Sequence, residues 1–141
     1  MSESIIWKFT DSICSRAEDA VALIRELVKR LERNNWNRRD VFGIHMAMEE
    51  AMMNAIKHGN SSDCAKKIHV EIVVSDLRFY SKITDDGRGF DPDEIPDPTT
   101  EENLERTSGR GIMLIKQFVD EVRYNDQGNS IELIKCKSNE G

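Results

Sequence analysis

Residues Glu49 to Asn60 read EEAMMNAIKHGN, and the rest of the chain arranges itself around them. The stretch has the pattern of the last turns of a helix running into a loop. Residues four apart share one helical face, so Glu50, Asn54 and His58 draw a polar line along a segment otherwise made of Ala47, Met48, Ala51, Met52, Ala55 and Ile56. A carboxylate and a carboxamide one turn apart, among small residues that let a ligand come close, suit a cation or a reacting hydroxyl. Alone, such a pair equally describes a solvated helix stripe. His58 reads as a helix-terminal residue, and Gly59 is well placed as the stop.

Working back from this stretch, the helix that carries it starts near Asp40, after a break marked by Asn34, Asn35 and Asn37. Before the break, Ile13, Ala17, Ala20, Val21, Ile24, Leu27, Val28 and Leu31 recur at steps of three and four, with Arg16, Glu18, Arg25, Glu26, Lys29 and Arg30 on the other face. That is an amphipathic helix, and Asp11 or Ser12 can cap it. Ile5 to Phe9 reads as a short strand ahead of it.

Working forward, Ile68, Val70, Ile72 and Val74 alternate with His69, Glu71 and Val73, the period of a strand. Ser75 to Arg78 is a turn and Phe79 to Thr84 the returning strand, which delivers Asp85 to the edge of the sheet. Asp91 to Thr107 breaks the pattern: it holds all three prolines (Pro92, Pro96, Pro98) and seven acidic residues. A stretch of that length without periodicity is a functional loop or lid, or is disordered. Gly109 and Gly111 then open a third helix, with Ile112, Leu114, Ile115, Phe118 and Val119 as its buried side. Val122 to Tyr124 and Ser130 to Cys136 close the chain as two strands turned at Asp126-Gln127-Gly128-Asn129. This order predicts one α+β domain over residues 1–141, a two-layer sandwich with helices over one face of a mostly antiparallel sheet.

The composition narrows the classes. With 141 residues, 38% hydrophobic and 33% charged, the chain fits an ordinary globular domain. A net charge of −6 argues against direct nucleic-acid binding, which rests on phosphate neutralisation. No apolar run approaches the roughly 18 residues of a membrane span, and MSESIIWKFT lacks the features of a signal peptide. Cys14, Cys64 and Cys136 are far apart and form no CxxC pair, so they read as free thiols in a reducing cytoplasm. Neither a Ser/His/Asp motif nor HExxH is present, which leaves nucleophilic triads and zinc hydrolysis without support.

Two glycine-containing stretches add chemistry. In Asp85-Asp86-Gly87-Arg88-Gly89, Asp85 can accept a hydrogen bond from an exocyclic amine while Gly87 and Gly89 leave bare backbone for a flat base. As an isolated motif it is also ordinary turn chemistry. Ser108-Gly109-Arg110-Gly111 opens a helix, and free N–H groups at a helix N-terminus form a phosphate site. It is neither a P-loop nor a dinucleotide fingerprint. Arg106 and Arg110 stand beside this junction and can pair with phosphates, or remain solvated.

Taken together, Glu50-Ala51-x-x-Asn54-Ala55-x-x-His58-Gly59, Asp85-x-Gly87-x-Gly89, an acidic lid over about 91–108 and Gly109-x-Gly111 resemble the GHKL ATP-binding superfamily. The short length and the run LERTSGRGIMLIKQFVDEV are similar to the bacterial anti-sigma factor serine kinases. The resemblance covers essentially the whole chain. It implies ATP and Mg²⁺ as cofactors, with Asn54 as the Mg²⁺ ligand and Glu50 as the general base. Glu49 lies about 100° round the helix. The resemblance further implies that Asp85 binds the adenine amino group, and that Gly87, Gly89, Gly109 and Gly111 shape the pocket and the lid hinges. An arginine associated with the γ-phosphate falls on Arg106 or on Arg110, because LERTSGRG is one residue longer than the family's run. Asn60 stands where many members carry an aromatic residue.

The implied partners are a small STAS-domain antagonist, phosphorylated on serine, and a sigma factor that is otherwise held inactive. The implied assembly is a homodimer. The readings left open are a Mg-ATP-dependent protein serine/threonine kinase, a nucleotide-gated sequestering module with little or no transfer, and an ATP-hydrolysing conformational machine.

Overall fold

The computed structural model describes residues 3–60, 63, 65–87, 115–126 and 128–138. The lid of 91–108, Gly89, Arg106, Gly109, Arg110, Gly111, the opening of the third helix, Cys64 and Gln127 lie outside the described residues. Along the chain come β1 (Ile5–Cys14), α1 (Ala17–Arg33), α2 (Arg38–Asn54), a π-helical turn (Ala55–Gly59), β2 (Lys67–Ser75), β3 (Arg78–Asp85), β4 (Glu121–Tyr124) and β5 (Ser130–Cys136). One helical turn over residues 115–118 precedes β4.

The five strands form one sheet in the order β1-β2-β3-β5-β4, and every neighbouring pair is antiparallel. Side chains alternate between the faces of a sheet, so the pairing sorts residues into rows. Phe9, Ile72, Ser81, Leu133 and Val122 lie opposite one another in one row. The neighbouring row, on the other face, is Thr10, Glu71, Lys82, Glu132 and Arg123, where opposite charges alternate across the strands. The helices cover the apolar face. Leu27, Leu31, Ile44, Met48 and Met52 are buried there with Ile68, Ile72, Phe79, Ile83, Leu133 and Ile115, each side chain stabilising the fold by roughly 1.5–3 kcal/mol. The expected two-layer α+β sandwich is the observed one.

Its details differ in three places. First, β1 runs on to Cys14, so Asp11, Ser12 and Ile13 are strand residues and α1 begins only at Ala17. Thr10 to Cys14 pair with Lys67 to Glu71 of β2, and this pairing outweighs the local capping tendency. Asp11 still bonds a backbone donor, the N–H of Ser12 at 2.8 Å, but from a strand. Within α1 the buried stripe is Ala20, Leu23, Ile24, Leu27 and Leu31, while Val21 is exposed.

Second, α2 starts at Arg38, capped by Asn37, whose side chain accepts from the N–H of Asp40 at 2.8 Å. Asp40 is itself buried. It accepts from the N–H of Ser138 at 2.8 Å and faces Lys135 Nζ at 3.5 Å, which ties the start of α2 to the end of the sheet. Third, the helix does not stop at Gly59 in an α-helical turn. It widens over Ala55–Gly59 into a π-helical turn, a rare geometry that concentrates at functional sites.

Candidate functional site

The widened turn sits over one end of the sheet, where β3 finishes. Asp85 is the last residue of β3, and β3 is the middle strand. Asp85 therefore stands at the end of a central strand, not at a sheet edge. Its main chain is held by Asn129, the residue before β5: the N–H donates to Asn129 O at 2.9 Å, and its carbonyl accepts from Asn129 Nδ2 at 3.2 Å. Its side chain is 8% exposed, and Oδ1 accepts from the N–H of Gly87 at 2.8 Å. Burial pushes the Asp85 carboxyl above the ordinary range, against the lowering effect of the Gly87 N–H.

Two glycines make this packing possible. A Cβ on Gly59 would lie 2.1 Å from Asp85 Oδ2, and one on Gly87 would lie 1.8 Å from the carbonyl oxygen of Gly59. The π-helical turn, the carboxylate and the turn after β3 thus touch backbone to backbone. No side chain fits between them.

On α2, Glu50 and Asn54 keep the shared face expected of positions four apart. The π-helical turn interrupts that line before His58, which is exposed. Asn54 closes α2, and its Oδ1 is buried without a hydrogen-bond partner among the described residues. A buried acceptor left unpaired costs about 1–3 kcal/mol, and this one is an oxygen that could ligate a hard cation. Glu50 is half-buried; burial first, and the neighbouring Glu49 second, raise its carboxyl above the usual range. Glu49 instead lies on the exposed side, 3.4 Å from His45 Nε2.

Among the described residues no cluster of three or more His, Cys, Asp or Glu side chains could hold a metal. A cation at Asn54 would therefore take most of its ligands from bound phosphate and water, the arrangement Mg²⁺ tolerates best.

Several neighbours were not legible as site residues. Asn60 is buried beside the turn. Asp86 donates its N–H to Asn60 and spends its carboxylate on β2. Ser12, His69 and Asp86 also come into line, with Ser12 Oγ 2.6 Å from His69 Nδ1 and His69 Nε2 2.9 Å from Asp86 Oδ1. That corrects the expectation of no Ser/His/Asp arrangement. The line is nevertheless exposed, and the N–H of Ser12, the natural oxyanion donor, already serves the Asp11 carboxylate. It is a cross-strand tie.

A family model described as the histidine kinase-like ATPase domain matches residues 14–135. The chain belongs to this family. Membership implies an ATP site, and the matched residues include α2, its π-helical turn and Asp85. The histidine kinase-like ATPase domain of this chain is similar to the anti-sigma F factor of Bacillus subtilis (strain 168), 35% identical over 98 residues, which are 65% of this chain and 66% of that protein. The anti-sigma F factor of Anoxybacillus flavithermus (strain DSM 21510 / WK1) is 34% identical with the same coverage. Each match thus spans 66% of the relative's length. A solved structure, the RsbU and RsbW domains of Rv1364c from Mycobacterium tuberculosis, shares the fold. Its TM-score is 0.62 at 17% identity, covering 92% of this chain and 32% of that one. No helix among the described residues is long and apolar enough to cross a membrane, and Cys14 and Cys136 are free thiols.

The burial of Asp85 carries a stability prediction. A carboxyl whose pKa is raised by folding favours the fold below its unfolded pKa, and that contribution is lost as pH rises through the folded value. Asp85→Asn should therefore melt at a higher temperature than wild type at pH 7, and the gap should close as the pH is lowered. Thermal unfolding at the two pH values checks both the sign and the trend.

Proposed function

We propose that this chain is a Mg-ATP-dependent serine/threonine protein kinase acting as an anti-sigma regulatory factor. It phosphorylates a small STAS-domain antagonist on serine and otherwise holds a sigma factor inactive, working as a cytoplasmic homodimer. The observation that carries the reading is the union of a half-buried glutamate and an unpartnered Asn54 oxygen on one helix face with a buried aspartate packed against the same helix's final turn. Similarity to anti-sigma F factors supports the choice of partners.

In this reading each residue has one task. Asp85 accepts from the amino group of adenine through the oxygen valences that Gly87 leaves free. Asn54 would hold Mg²⁺ through Oδ1, and the ion when bound neutralises phosphate charge. Glu50 accepts the hydroxyl proton of the incoming serine as its oxygen attacks the γ-phosphate and ADP departs. The raised pKa suits that task, since a stronger base takes the proton more readily provided it is still ionised at working pH. Gly87 and Gly89 leave the backbone bare for the base, Gly109 and Gly111 hinge the lid over 91–108, and Arg106 or Arg110 meets the γ-phosphate.

The test is retention of partners from the source cell's lysate on the purified chain with Mg-ATP, followed by phosphoserine mapping. A small STAS protein phosphorylated on serine, with the mark absent for Glu50→Gln, supports the kinase. Stable capture without new phosphate moves the function to nucleotide-gated sequestering.

The metal assignment has its own check. Asn54→Ala should lower ATP affinity in the presence of Mg²⁺ by roughly 10- to 100-fold, the size of a lost contact to a charged group, and leave the affinity in EDTA unchanged. Calorimetry in both buffers reads this, and Mg²⁺-sensitive binding at wild-type strength would refute it.

A further inference from the structure

Asn60 follows the π-helical turn and is 0% exposed, although asparagines at chain reversals ordinarily face water. All of its hydrogen-bonding groups are accounted for, the carbonyl by accepting from the N–H of Asp63 at 2.9 Å. The main-chain N–H closes the π-helical turn on Ala55 O at 2.8 Å. Nδ2 donates to Ser15 Oγ at 3.2 Å and to Lys67 O at 3.0 Å. Oδ1 accepts from the N–H of Asp86 at 2.8 Å. A carbonyl can only accept and an N–H only donate, so Lys67 and Asp86 between them fix which way the amide faces.

The far side of this contact is equally constrained. Asp86 accepts from the N–H of Lys67 at 2.9 Å through Oδ2 and meets His69 Nε2 at 2.9 Å through Oδ1. These bonds hold its carboxyl below the usual range. The peptide between Asp85 and Asp86 therefore has Asn129 Nδ2 on its carbonyl and Asn60 Oδ1 on its N–H. The residue before Asn60 is Gly59, against which the Asp85 carboxylate rests. A shift of the Asp86 N–H moves the Asp85 main chain with it, because the two share a peptide plane.

We propose that Asn60 is a positioning residue for base recognition. By holding the Asp86 N–H it keeps the Asp85 carboxylate at the setting that tells an amino-purine from an oxo-purine. The inference rests on the ATP reading above and adds a specificity-determining residue to it. The selectivity follows from hydrogen-bond polarity. A carboxylate accepts from the amine of adenine and repels the oxo group of hypoxanthine, and a site built this way discriminates only while its geometry holds. In this reading Asn60 itself makes no phosphate contact, since its side chain is taken up by Ser15, Lys67 and the Asp86 N–H.

The experiment compares ATP with inosine triphosphate, both with Mg²⁺, by calorimetry on the full chain. Wild type should prefer ATP. Asn60→Ala should lose ATP affinity by about tenfold, while inosine triphosphate affinity changes by less than about threefold, so that the preference collapses. Asn60→Asp keeps an acceptor for the Asp86 N–H but cannot donate to Lys67 or Ser15. It should melt earlier yet retain most of the preference for ATP. Equal losses for both nucleotides in Asn60→Ala, or an unchanged preference, overturn the inference and leave the ATP reading standing. Wild type that binds neither nucleotide overturns both.

If the variants do not fold, hydrogen exchange of the wild-type Asp86 amide decides. Protection before nucleotide that deepens with ATP, and not with inosine triphosphate, supports the role; exchange at the rate of a free turn amide overturns it.

Discussion

Glu50→Gln should bind ATP with wild-type affinity and transfer its phosphate about 10²- to 10⁴-fold more slowly, the loss expected when a general base is removed. Glutamine keeps the shape and hydrogen-bonding reach of the side chain but cannot take a proton. Single-turnover phosphorylation of the partner, beside ATP calorimetry, separates the two effects. Burial and Glu49 raise the Glu50 carboxyl, so the acid limb of the wild-type pH–rate profile should lie above the ordinary carboxylate range. Activity should fall as pH drops through that value, because the base must be ionised to act. The same shift makes ionised Glu50 a cost to the fold: its contribution is favourable below the unfolded pKa and lost as pH rises through the folded one. Glu50→Gln should then melt no lower than wild type at pH 7, which excludes misfolding as the cause of inactivity. Transfer at the wild-type rate would show that Glu50 is not the base.

Gly87→Ala should be strongly disruptive, more so than Gly43→Ala or Gly59→Ala. Its Cβ would lie 1.8 Å from Gly59 O and 2.9 Å from Asp85 Oδ1. The first obstacle is backbone, and no rotamer change relieves it. The turn after β3 and the π-helical turn must separate, which breaks the contact proposed to shape the base site. Overpacking of this kind costs about 3 kcal/mol, at the upper end of the usual range, or roughly 10 °C in Tm for a domain of this size. ATP affinity should fall with it. Gly59→Ala meets the Asp85 carboxylate at 2.1 Å, and Asp85→Ala in that background should restore part of the lost stability without restoring ATP binding. Thermal melts of the single and double variants check the pairing, and additive losses would refute it.

Features set by short-range forces were legible in the sequence, and features set by long-range contacts were not. Strand alternation from Ile68 to Val74 and the shared face of Glu50 and Asn54 are local periodicities that appear in the fold. The α1 stripe appears through Ala20, Ile24, Leu27 and Leu31, while Ala17 and Val21 are exposed. The placement of Asp85 at a strand's end is equally local. Where β1 ends was not legible, because Asp11 and Ser12 carry a capping pattern and only pairing with β2 holds them extended. Asn60 was unreadable for the same reason: its side-chain partners lie 45, 7 and 26 residues away. Residues 91–108, expected to form a lid, and with them Arg106 and Arg110, lie outside the described structure.

Periodic patterns were thus enough to indicate the two-layer class and the helix that carries Glu50 and Asn54, while the family was pointed to by resemblance and shown by the match over residues 14–135. The meeting of Gly59, Asn60, Asp85 and Gly87 was settled by the closing of the sheet. It depends on hydrogen bonds and backbone contacts between segments that no local periodicity links, and such contacts form only once the sheet has brought those segments to one end of the fold.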